Sequence, residues 1–258
     1  EKYWLPVDFY VGGAEHATRH LIYARFWHKF LYDIGAVSHD EPFRRLQHVG
    51  LILAEDGRKM SKRWGNVINP DDIVRGHGAD SMRIYEMFMG PFSQACAWST
   101  NGLIGSRKFI ERVWKIADKA KGRKNPTGRE SLSLLHKTIK KVGEDIEQFK
   151  FNTAIAQMMI LSNHLSSAGS ISQSDYESFL KVLAPFAPHF AEELWNILGN
   201  EGSIFESEWP SFDPRMVRDD RIQLVVQING KLRDTLTVDA DISEDEAKKK
   251  ALSSEKVG

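Results

Sequence analysis

The sequence predicts an α/β segment over residues 1–100, an all-α segment over 101–218 and the start of a small α/β unit over 219–258. Three observations carry this division. The first hundred residues mix short apolar runs with Gly, Pro and Asp punctuation, as alternating strands and helices do. The next stretch places apolar residues at helical spacing, with Phe109, Val113, Ile116 and Ala120 at i, i+4, i+7 and i+11. From residue 221 the period shortens to two: "RIQLVVQINGKLRDTLTV" alternates around Asn229-Gly230, a strong hairpin signal.

Taken in order, "FYVGG" (9–13) reads as a strand running into a glycine turn. A helix is expected from Ala14 to Ile34, with Leu21, Ala24, Trp27, Phe30 and Leu31 on its apolar side and Gly35 as its stop. "HVGLIL" (48–53) reads as one buried strand before the turn "EDG". Asn69-Pro70 opens two helical pieces that divide near Gly76 and Gly78. Further helices are expected at 131–148, 152–168, 174–184 and 187–198, broken at Gly169, Pro185 and Pro188. Their short connections suit an antiparallel bundle. Trp195 and Trp209 are expected in its core. "SEDEAKKKALSSE" closes the chain as a helix with a capping box between Ser243 and Glu246. A hairpin and one helix make a marginal unit, so the last segment is expected to be cut short.

The bulk composition excludes several classes. Its 41% hydrophobic and 27% charged residues are those of an ordinary soluble globular chain. No apolar run is long enough to cross a bilayer, and no signal-peptide pattern opens the chain. Cys96 is the single cysteine, which rules out an internal disulfide or a multi-cysteine zinc site within this chain and suits a reducing compartment. Net charge is zero, so any nucleic-acid surface has to be local.

One local concentration stands out. In "EDGRKMSKRWGNVINPDD" (55–72), Arg58, Lys59, Lys62 and Arg63 fall within six positions between Gly57 and Gly65. Lysines at i and i+3 suit a polyanion whose charge develops during a reaction, since ammonium groups are mobile point charges. On charge alone, a solvated basic turn accounts for the stretch better than a phosphate site does. The context "HVGLILAEDGRKMSKRWGN" favours the phosphate site.

"KMSK" followed by "GN" resembles the KMSKS signature of the class I aminoacyl-tRNA synthetases, with Arg63 in place of the second Ser. Residues 3–35, together with "GADSMRIYEMFMGP" (78–91), "FNTAIAQMM" (151–159), "LAPFAPHFAEELW" (183–195) and "VVQINGKLRD" (225–234), resemble the C-terminal portion of the leucyl branch, bacterial type. Isoleucyl, valyl and methionyl relatives share the basic loop but are not expected to combine 225–234 with "LPVDFYVGGAEHA". The resemblance implies the second half of a Rossmann-type catalytic domain with the KMSKS-like loop, then an anticodon-binding-type helical bundle, then a partial C-terminal α/β unit.

The resemblance also implies a set of roles. Lys59 and Lys62 would be catalytic cations, with Lys62 first and Lys59 its helper. Gly12, Gly13, Glu15, His16, Val49, Gly50, Leu51, Ile52, Met60 and Ser61 would join Lys62 around ATP and the adenylate, and His16 and His20 would border the leucine. Read without the family, His16 and His20 are a packed pair on one helix face, and no third ligand makes them a metal site. Lys108, Arg112, Lys115 and Lys119 form a cationic row suited to tRNA phosphates or to plain solvent; Lys231 and Arg233 join them as tRNA-contact candidates. ATP as substrate with Mg2+, leucine and tRNA(Leu) are the implied ligands, with no metal site in this chain, and the location implied is cytoplasmic. The HIGH half and the editing domain of the family are absent from the sequence. The chain is therefore expected to be inactive alone, as a subunit of a split enzyme or a piece of a longer one. The competing expectation is a non-catalytic tRNA-binding module.

Overall fold

The computed structural model describes residues 1–168, 171–218, 221–228, 231–239 and 242–254. Strand β1 (Tyr10–Gly13) leads through a 3-10 turn (Ala14–Thr18) into α1 (His20–Asp33), and the chain returns as β2 (Leu46–Val49) parallel to β1. This is a β-α-β unit with Gly12 opposite His48 and Gly13 opposite Val49. The expected single helix over 14–34 is divided at Arg19, whose φ of −131° and ψ of −100° are not helical. Arg25 grips Glu41 through both Nε and Nη2, and with Lys29 it holds the Glu41 carboxyl down at about 2. These contacts fasten α1 to the segment that leads into β2.

The expected continuous strand over 48–53 is also divided. β2 ends at Val49 and β3 (Ile52–Leu53) pairs instead with β4 (Cys96–Ala97), in parallel. Gly50 explains the break. Its N–H donates to the Phe92 carbonyl at 2.9 Å, and a Cβ added there would lie 1.8 Å from the Gln94 carbonyl oxygen. The backbone of residues 92–95 thus occupies the place of any side chain at position 50. Gly50→Ala is expected to destabilise the protein by about 1–3 kcal/mol through this overpacking. An unchanged urea midpoint would show that the 92–95 loop gives way freely.

Beyond the basic loop, α2 (Pro70–His77) starts with Pro70 at its first position and the Asn69 side chain accepting from Asp71 N–H at 3.1 Å. Gly78, at φ +87°, turns the chain into α3 (Ala79–Phe88). The helical part follows as α4 (Thr100–Ala120), α5 (Arg129–Glu147), α6 (Phe151–Ala168), α7 (Gln173–Leu183) and α8 (Pro188–Ile197), with the short α9 (Pro214–Val217) after them. Phe109, Val113, Ile116 and Ala120 are all buried, as their spacing requires, against Leu135, Ile155, Met158, Tyr176 and Leu180. Tyr176 buries its hydroxyl by donating to the Val113 carbonyl at 2.8 Å. Trp195 is buried at 9% exposure; Trp209 is 44% exposed and departs from its expected place in the core.

The hairpin pairs β5 (Arg221–Ile228) with β6 (Lys231–Asp239), antiparallel. Its Asn229-Gly230 turn lies outside the described residues, as does the Gly169 break. In α10 (Glu244–Leu252), Ser243 Oγ accepts from Glu246 N–H and the Glu246 carboxylate returns to Ser243 N–H, which completes the capping box. Among the described residues no helix is long and apolar enough to cross a membrane.

Candidate functional site

The basic stretch folds as a turn closed at its neck. Ala54 N–H donates to the Arg58 carbonyl and Gly57 N–H to the Ala54 carbonyl, both at 2.9 Å, and Leu53 pairs with Lys59 as an antiparallel bridge. Lys62–Trp64 then form one 3-10 turn, capped by Ser61 Oγ, which accepts from Arg63 N–H at 3.3 Å. Gly65 ends that turn in the left-handed region at φ +62°. Met60 points inward and packs against the small cluster of Tyr85, Trp98 and Leu103. A half-buried apolar anchor therefore separates the two lysines.

The four cations are of two kinds. Arg58 is paired with Asp56 at 2.6 Å, which holds that carboxyl below its ordinary range. Its guanidinium lies 5.2 Å from the Trp64 ring centroid, and that of Arg63 lies 5.4 Å from the same ring. Planar guanidinium groups suit such stacking; ammonium groups prefer water or anions. Lys59 and Lys62 are exposed, and among the described residues neither ammonium group makes a hydrogen bond or ion pair. Two of the four cations thus have side chains free of any carboxylate or ring contact among the described residues.

A second set gathers where β1 ends. Glu15 folds back over Gly13, so that a Cβ added to Gly13 would lie 2.3 Å from Glu15 Oε2. The His16 and His20 rings sit edge-on with centroids 6.3 Å apart, and His20 stacks on Tyr10 at 5.5 Å. The two histidines are neighbours across the 3-10 to α-helix junction rather than along one regular helix. Parallel pairing brings Val49 beside Gly13, so Gly12, Gly13, Glu15, His16, His20 and Val49 share the carboxyl end of the two strands. Open parallel sheets bind ligands at that end. From Val49 the chain passes through Gly50, Leu51 and Ile52, which line a cavity of about 260 Å3, and then into the basic loop. Among the described residues no group of three or more His, Cys, Asp or Glu stands together as a metal site.

Comparison with known proteins decides what this arrangement belongs to. Residues 2–99 match the model of class I tRNA synthetases (I, L, M and V), and residues 128–249 match the anticodon-binding domain of tRNA ligases. A leucyl-tRNA synthetase (LeuRS) of Agrobacterium radiobacter, solved in a ternary complex with tRNA and LeuAMS, is 36% identical. The match covers 98% of this chain with a TM-score of 0.82. The chain belongs to the class I tRNA synthetases. It spans 35% of the length of that LeuRS. Two Mycobacterium tuberculosis methionyl-tRNA synthetase structures, both with methionyl-adenylate, are 17% and 19% identical. They cover 80% and 78% of this chain, and it spans 51% and 46% of theirs, with TM-scores of 0.57 and 0.58. At that identity they show the fold alone.

Within the synthetase chain, the cationic row on α4 is uneven. Arg112 is half-buried and donates to Ser162 Oγ at 3.3 Å, and Lys119 donates to the Ser166 carbonyl at 3.2 Å. Both tie α4 to α6, while Lys108 and Lys115 stay exposed on the helix surface. On β6, Arg233 is exposed. Sequence reasoning missed Trp64, which gathers the two arginines, and Asn66, whose side chain spans the neck of the loop. The "GN" that follows the lysines contains Asn66 but does not mark Trp64.

Proposed function

We propose that this chain supplies the basic loop, part of the adenylate site and the tRNA-binding helices of a leucine–tRNA ligase. The reaction is ATP-dependent formation of leucyl-adenylate, then transfer of leucine to tRNA(Leu). One observation carries this reading: of the four loop cations, the two in the KMSK positions, Lys59 and Lys62, are the two whose side chains have neither a carboxylate nor an aromatic ring against them among the described residues. As pyrophosphate leaves, negative charge grows on its oxygens, and unpaired ammonium groups stabilise it there. The class of enzyme supports ATP as the substrate. Mg2+ would share the same phosphate charge.

The other roles follow from position. Gly12 and Gly13 let the ribose approach the backbone, with Glu15 as an acceptor for its hydroxyls and His16 and His20 toward the leucine. Val49, Gly50, Leu51 and Ile52 offer backbone edges to adenine, and the Ser61 and Met60 backbone lies beside the phosphates. Lys108, Arg112, Lys115 and Lys119, with Lys231 and Arg233, track tRNA phosphates, of which Lys108 and Lys115 have the freer charges. The enzyme would work in the cytoplasm.

The remaining part of the catalytic domain must come from elsewhere. A parallel sheet is normally covered on both faces and continued at its edges. Here β1 and β2 form a sheet of two strands, and α1 exposes Tyr23, Phe26, Trp27 and Phe30, each 47–69% accessible. We read that surface as the seat of the other catalytic half. The chain alone is expected to give no ATP–pyrophosphate exchange, and addition of a segment bearing the HIGH half is expected to start it. Exchange by the chain alone at the rate of a complete synthetase would overturn this reading. Leucine, isoleucine, valine and methionine, compared in the reconstituted assay, fix the amino acid. If tRNA binding survives and exchange never appears, the chain is a binding module.

A further inference from the structure

We propose that Asn66 is the positioning residue that sets the register of the phosphate-binding lysines; this rests on the reading of the loop given above. The neck of the loop turns one backbone N–H and one backbone C=O toward the same point. Asn66 Oδ1 accepts from Ser61 N–H at 2.9 Å, and Asn66 Nδ2 donates to the Lys59 carbonyl at 3.4 Å. A carboxamide carries one acceptor and one donor side by side, which is the pair of groups this neck requires. Asp offers only acceptors, and Ser has neither the reach nor the separation.

The two bonds span the segment Lys59–Ser61, to which Lys62 is attached directly. Asn66 is half-buried, so its bonds are partly shielded from competition by water. The other restraints act on neighbours of this segment. Met60 fixes its depth, the Leu53–Lys59 bridge fixes where it starts, and Trp64 draws Arg58 and Arg63 aside. Among the described contacts, the Asn66 amide alone joins the backbone of the first lysine to the residue preceding the second. Without it, both ammonium groups remain but their separation is no longer set before ATP arrives. The ordering would then have to occur on the way to the transition state.

The test is ATP–pyrophosphate exchange by the active assembly that contains this chain. Asn66→Ala is expected to lower kcat about tenfold, as loss of two modest hydrogen bonds allows. The KM for leucine should stay unchanged, and the Ser61 amide should exchange with deuterium faster. Asn66→Asp keeps the bond to Ser61 and loses the one to Lys59, and it too should fall several-fold. The combination of Asn66→Ala with Lys62→Ala should lose less than the product of the two single losses, because the amide acts through the lysines. A parental kcat in both Asn66 variants, or additive losses in the double variant, overturns the proposal. If Lys62→Ala itself leaves exchange intact, the reading of the loop fails first, and the two failures are thereby told apart.

Discussion

Lys62→Ala is expected to reduce ATP–pyrophosphate exchange by about 10²-fold, assayed with this chain in the complete synthetase. A hydrogen bond to a charged group contributes about 1.5–3 kcal/mol, and each 1.4 kcal/mol is tenfold in rate. The loss should fall on kcat more than on the KM for ATP, because the charge that Lys62 meets is largest as pyrophosphate departs. Lys59→Ala should do less, about tenfold, since Lys59 starts from a backbone bridge to Leu53 and its ammonium leaves the loop earlier. Arg63→Ser makes the informative contrast. It restores the usual letter of the signature and removes a guanidinium already stacked on Trp64, so exchange should change by less than about threefold. A Lys62→Ala enzyme within threefold of its parent, or an Arg63→Ser enzyme as slow as Lys62→Ala, would mean that charge on this loop is not assigned as we describe.

Trp64 also shows where the sequence stopped being legible. Four cations in a row are visible in the letters; which two are engaged depends on an aromatic ring that the turn brings back over the chain. The helices of the second segment were legible because their stripes are local, and Phe109, Val113, Ile116 and Ala120 face one core for that reason. The capping box at Ser243 and Glu246 was legible because both partners lie within four residues. The strand expected over 48–53 was not, because its break at Gly50 is imposed by residues 92–95, more than forty positions away. The helix expected from Ala14 hid the turn at Arg19, since a 3-10 turn and an α-helix share nearly the same apolar spacing. Gly12, Gly13, Glu15, His16 and His20 were named from resemblance. Their nearness to Val49 comes from parallel pairing, which no local pattern encodes.

Asp80→Ala is expected to destabilise the helical part by about 2–3 kcal/mol and to weaken tRNA charging more than amino-acid activation. Helix α8 has no side-chain cap of its own, because Ala187 stands at its N-cap. Asp80, from the first turn of α3, supplies one across 110 residues of chain: its carboxylate accepts from Phe190 N–H at 2.6 Å and from His189 Nδ1 at 3.0 Å. The residue is 7% exposed, so truncation leaves a shielded N–H without an acceptor at a helix N-terminus. Asp80→Asn keeps an acceptor for Phe190 and should lose about half as much. One turn on, Arg83 donates to the Pro185 and Phe186 carbonyls, so α3 grips both the α7–α8 connection and the first turn of α8. The same helix carries Tyr85, which with Trp98 and Leu103 forms the cluster that holds Met60 of the basic loop. α3 is therefore the rigid link between the loop and the helices. On the proposed reading, exchange with ATP and pyrophosphate needs the loop and the adenylate site but not the helices, whereas charging also needs a tRNA held by the helices. Faster deuterium exchange at the Phe190 amide, with charging reduced several-fold more than activation, is the expected outcome. Equal losses in both reactions would show that the cap supports the catalytic part itself and that α3 does not relay position from one end to the other.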